Sequence, residues 1–132
     1  MQILQNAGVP TDGLQILLVQ ANNARQIETQ LQAQIDELGQ VTNMGLVDVS
    51  LAGCGAGNVL SATLLAQANV AFVPLSECTA HVFEAPDAGT LATIVATRLF
   101  ELEDTEIVAW DTAVAGDGAV FYALYISHIT GG

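Results

Sequence analysis

Residues 46–66 read LVDVSLAGCGAGNVLSATLLA, and the way this stretch divides decides the architecture of the chain. From Leu46 to Leu51 apolar and polar side chains alternate through Val47, Asp48, Val49 and Ser50, which suits a strand with one wetter face. Val59 to Ala66 alternates again through Ser61 and Thr63. A period of two on both sides makes the intervening GCGAGN a hairpin connection between antiparallel strands, not the entrance to a helix.

Working outward, Leu14 to Gln20 (LQILLVQ) is nearly continuous aliphatic sequence, as expected of a central strand covered on both faces. Residues 1–13 form a turn-rich lead-in with Gly8, Pro10, Asp12 and Gly13. Asn22 or Asn23 caps a helix whose Ile27, Leu31, Ile35 and Leu38 make one apolar stripe, and Gly39 ends it. The opposite face, with Gln26, Gln30, Gln34 and Glu37, is rich in amides. Downstream, Val70 to Leu75 is a short β candidate that Pro74 pushes to an edge, with His81 to Glu84 as its continuation. Asp87 or Thr90 caps a second helix with Leu91, Ile94, Val95, Arg98, Leu99 and Leu102 on one face. Glu106 to Val114 and Ala119 to Ile129 flank the turn AGDG as a C-terminal hairpin that carries Trp110, Tyr122 and Tyr125. No internal repeat or low-complexity linker is visible, so residues 1–132 read as a single α+β domain. The expected arrangement is two helices on one face of a mainly antiparallel sheet, ferredoxin-like with an extra strand and the C-terminal hairpin.

Charge narrows the functional classes. The chain has no lysine and only two arginines, Arg25 and Arg98, against fourteen acidic residues, for a net charge of -12. Nucleic-acid binding neutralises phosphates with Lys or Arg, and a phosphate-cradling loop usually ends on a lysine, so both are excluded. An anionic membrane surface is disfavoured for the same reason. Only 12% of residues are charged and 52% are apolar, where soluble domains carry roughly 25% charge. A spanning helix needs about 18 or more uninterrupted apolar residues, and no window supplies them. The apolar excess therefore predicts a soluble homo-oligomer, a dimer or larger, in which copies of the chain cover one another. No signal peptide is visible, which predicts a cytoplasmic location. Two cysteines, Cys54 and Cys78, are too few for a disulfide framework and read as buried thiols.

Several constellations carry potential chemistry. Gly53, Gly55 and Gly57 in GCGAGN follow the β-like stretch containing Asp48, and this segment resembles the glycine loop of class I S-adenosylmethionine methyltransferases and, more loosely, a dinucleotide fingerprint. That resemblance implies a cofactor-binding loop, with Glu77, twenty residues after Gly57, on the ribose hydroxyls. The strand-like alternation of residues 59–66 stands against it and leaves no cofactor as the expectation. Cys78 and His81 have a C-x-x-H spacing suited to two soft metal ligands, with Glu77, Cys54 or His128 as completing groups. The second close pair that marks a zinc site is missing, so no metal is expected. Cys78 with His81 is also a candidate catalytic dyad, with Ser76 and His128 as further candidates, and Asp111 with Asp117 a candidate carboxylate pair. Glu101, Glu103, Asp104 and Glu106 crowd the end of the second helix near Arg98, as a cation site or a solvated turn.

Two functions follow as expectations. The first is a non-catalytic homo-oligomeric assembly or small-ligand-binding module, such as a component of a viral or phage particle. The second is a small-molecule enzyme or binding protein of the dimeric α/β-barrel kind, with an apolar pocket between helices and sheet.

Overall fold

The computed structural model describes residues 13–41, 44–53, 59–68, 73–115 and 120–129. The elements are β1 (Leu14–Ala21), α1 (Ala24–Leu38), β2 (Met44–Gly53), β3 (Leu60–Ala68), β4 (Val73–Pro74), a 3-10 turn (Leu75–Glu77), β5 (Cys78–Ala85), α2 (Ala88–Phe100), β6 (Thr105–Ala115) and β7 (Val120–Ile129). The α+β class is as expected. The single ferredoxin-like sheet is replaced by two antiparallel sheets, ordered β1-β3-β2-β4 and β5-β7-β6. In each, the helix carries the chain past one strand position, and the returning hairpin strand fills the gap before the chain moves on.

Those two β-α-β-β units are the same structure twice, although no repeat is visible in the sequence. Asn23 and Asp87, sixty-four residues apart, both cap a helix from extended backbone and accept from the N–H three residues on, Gln26 and Thr90 respectively. Ladders agree residue for residue. Gln67 faces Leu14 and Gly45 in the first unit, and His128 faces Cys78 and Glu106 in the second. Each unit's inner hairpin strand also slips register by one residue, at Val47 in β2 and at Val108 in β6. The slip turns Leu46, Val49 and Leu51 to one face and Asp48 and Ser50 to the other, which strict alternation would not do.

The units stack front to back. The front of the first, comprising α1 and the inward side chains of β2 and β3, packs on the back of the second, formed by Ala80, Val82, Leu124 and Ile126, in one buried core. The sheets meet where β2 passes β6, and α1 fills the opposite side between β1 and β5. The stripe Ile27, Leu31 and Ile35 is wholly buried there. Side chains of α1 also seal the open edge of β5: the Ala80 and Val82 N–H groups donate to Gln32 Oε1 at 2.7 Å and Glu28 Oε2 at 2.8 Å. In return Glu84 Oε1 accepts from the Ala24 N–H at 2.7 Å. Gly39 closes α1 in a right-handed conformation (φ -64°). Proximity favours glycine there, since a Cβ would stand 2.9 Å from the Ile35 carbonyl oxygen and 3.1 Å from the Ser76 nitrogen of the 3-10 turn.

β1 differs from its expected central place. Among the described residues it pairs only with β3, as an edge strand. Val19 and Ala21 are buried under α1, whereas Ile16 and Leu18 on the other face are 64% and 66% exposed. Its continuous aliphatic sequence calls for cover on both faces, and the described residues supply cover for one. Of the β candidate Val70 to Leu75, Val73–Pro74 form β4 and Leu75 opens the 3-10 turn, and positions 70–72 lie outside the described residues. No helix among the described residues is long and apolar enough to cross a membrane.

Candidate functional site

The structure separates the pairs that spacing suggested. Cys78 and His81 lie three apart on β5 and therefore point to opposite faces of sheet β5-β7-β6. Cys78 is buried, donates from Sγ to the Pro74 carbonyl at 3.4 Å, and burial with the nearby Glu77 carboxylate pushes its thiol up to about 11. It is a protonated core thiol at neutral pH, without the thiolate that nucleophilic attack needs. His81 Nε2 is 2.8 Å from Ser127 Oγ, and burial holds its pKa below the ordinary value against the opposing pull of Glu28. Ser76 is exposed in the 3-10 turn. Asp111 accepts from Leu51 N–H across the junction between the two units and from Thr112 N–H, both at 2.8 Å, so it is a structural acceptor. Asp117, Cys54, Gly55 and Gly57 lie outside the described residues. Gly53 ends β2, which is antiparallel to β3, so the glycine segment links two hairpin strands and has no helix behind it to receive a cofactor phosphate.

His128 is held as sequence reading did not foresee. Its Nε2 lies 2.7 Å from Glu77 Oε1 and its Nδ1 lies 3.3 Å from Glu106 Oε1. Only the imidazolium can donate from both nitrogens, and these two bonds, Glu77 first, hold its pKa above the usual histidine value. The clamp ties the 3-10 turn to the ends of β6 and β7, and leaves neither ring nitrogen open to act as a base. Because the folded-state pKa is raised, this stabilisation is fully present below the unfolded value near ~6.5 and is lost as pH rises through the folded value. The difference in thermal midpoint between wild type and His128→Gln should therefore shrink by a few degrees from acid to alkaline pH. A difference that stays flat or widens would contradict the clamp. Glu101, Glu103 and Asp104 are exposed, and no ion pair joins Arg98 to Glu101 or Glu103 among the described residues. Nor is any group of His, Cys, Asp and Glu among the described residues arranged to hold a metal ion.

The feature with most functional content is a pair of bare surfaces. The first is the back of the N-terminal unit, with Ile16 and Leu18 beside partly buried Thr63 and Leu65. The second is the front of the C-terminal unit, an apolar groove of 560 Å³ between α2 and sheet β5-β7-β6, whose walls include Ala92, Ala96, Thr112, Val114 and Phe121. Trp110 stands beside it on the same sheet face, paired with Tyr125 and 64% exposed. Equivalent positions in the other unit are buried: Val49 for Trp110 in front, and Ala80 and Val82 for Ile16 and Leu18 behind. Sequence reading anticipated uncovered apolar surface from the charge deficit but could not say where.

Comparison with protein-family models, with curated proteins and with solved structures finds no match.

Proposed function

We propose that this chain is a non-catalytic subunit that works by associating with copies of itself. The observation that carries this reading is the presence of two bare apolar surfaces, at opposite ends of a stack whose interior buries the same positions. The chemistry of two of the candidate side chains agrees with it: Cys78 is protonated and His128 is clamped by two carboxylates. A surface carrying a net charge of -12 needs regions poor in acids wherever two copies meet; the groove lining has no charged side chain, and the back of the N-terminal unit is apolar or uncharged apart from Asp48, opposite Leu65. Light scattering coupled to size exclusion should give a multiple of the 13.7 kDa chain mass. A clean monomer at roughly 100 μM, where even a micromolar interface is largely filled, would refute self-association.

A second reading is favoured by the groove alone. Its 560 Å³ lies within the range of small-molecule sites, so an apolar ligand is the rival occupant. Native mass spectrometry that retains a small molecule on the wild type, but not on an Ala96→Trp variant, would support that reading.

A further inference from the structure

We infer that copies of this chain join head to tail, with the outer face of β1 and β3 of one copy seated on the α2–β6 groove of the next, repeating between chains the contact that already joins the two halves within a chain. This deepens the self-association reading and rests on it.

The internal contact supplies the template. The front of the first unit is closed by the back of the second, and the shared ladder register fixes which residues correspond. Transferring that contact by one unit sets the second unit's front against the first unit's back in the following copy. These are the two surfaces left bare, and sequence adds its own argument. The aliphatic β1 pattern is that of a strand buried on both sides, and the second side is the one this contact would cover.

The transferred pairs are chemically compatible. Ala92 and Ala96 of α2 occupy the positions of Glu28 and Gln32 in α1, by the sixty-four-residue offset of the two helix caps. Two side-chain bonds to the edge of β5 thus become methyl contacts against Ile16 and Leu18. Gln20 occupies the position of Glu84, whose carboxylate receives the first N–H of α1. Its amide oxygen offers the same acceptor to the Ala88 N–H at the start of α2. The groove lining contains no charged side chain, and the outer row of β1 is Leu14, Ile16, Leu18 and Gln20. Trp110, in the place of buried Val49, becomes an aromatic anchor of the kind that dominates interface energetics. Front and back are different surfaces, so the contact is heterologous: it closes into a ring if the rotation per step permits, and otherwise extends as a filament.

Two exposed positions test this without disturbing the core. Leu18→Asp spoils the back and spares the groove; Ala96→Glu spoils the groove and spares the back. Each variant alone should fall to a monomer with an unchanged circular dichroism spectrum. Emission from Trp110, the one tryptophan of the chain, should shift to the red as it returns to water. An equimolar mixture at roughly 100 μM should form a two-chain complex and nothing larger, because one intact groove meets one intact back. If both variants keep the wild-type mass, this interface is wrong while self-association stands. Monomeric variants that stay monomeric when mixed would overturn the head-to-tail arrangement. A monomeric wild type removes this proposal and the reading beneath it together.

Discussion

Truncating Leu64 to alanine should lower the free energy of unfolding by about 2–5 kcal/mol, the range for removing a large aliphatic side chain from a packed core. β3 is the middle strand of the first unit, paired with β1 and β2, and Leu64 is wholly buried opposite Leu17 and Val49. Its side chain faces the layer that holds α1 and the back of the second unit, so the cavity opens where both units meet. Domains of this size are stable by roughly 5–15 kcal/mol in total, and the variant should lose much of its urea resistance at unchanged slope. Leu18→Ala, on the opposite face of neighbouring β1, provides the contrast. That side chain is solvated within the chain, so in a monomer its removal should cost less than ~0.5 kcal/mol. Equal costs at the two positions would mean that the faces of this sheet have been assigned wrongly.

Gly53→Ala is the second large effect. A Cβ on Gly53 would overlap the carbonyl of Val114 and touch Ala115, where β2 of one sheet passes β6 of the other. The main obstacle is backbone on a paired strand and cannot turn aside like a side-chain end. Overpacking of this kind costs about 1–3 kcal/mol, occasionally more. The bond from Leu51 N–H to Asp111 Oδ2 lies two residues away and would be displaced with it. Gly53→Val should be worse than Gly53→Ala, and denaturant midpoints for the pair would show it. An alanine variant as stable as the wild type would mean that the two sheets do not approach so closely at this point.

What could be read from the sequence was local. Asn23 and Asp87 announce their helices because a short acceptor before an apolar stripe satisfies N–H groups that nothing else reaches. The two hairpins follow from alternation around glycine-rich segments. Membership of a sheet is different in kind, because it depends on ladders between residues as distant as Leu14 and Gln67. Alternation within a strand says nothing about which neighbour it takes. Chemical drift hides the repeat too: Ala21, Ala24 and Thr29 recur as Ala85, Ala88 and Thr93, while Glu28 and Gln32 become Ala92 and Ala96. At the candidate sites, the C-x-x-H spacing misled because the expected strand resumed only at His81, whereas β5 already begins at Cys78. On a strand, three positions apart means opposite faces. The Glu77–His128 contact spans 51 residues and leaves no local trace.

The sealing of β5 by α1 sets a timetable for the nascent chain. A ribosome delivers the first unit before Ala80 and Val82 exist, so Glu28 and Gln32 have no strand edge to bond, and Val49 and Leu51 nothing to pack upon. At about 5–20 residues per second, that vacancy lasts several seconds until β7 follows, which makes the N-terminal half a candidate for chaperone attention during synthesis. The second unit, once released, stands where the first stood before it. On the proposed arrangement, its own front is completed only when the back of another copy arrives.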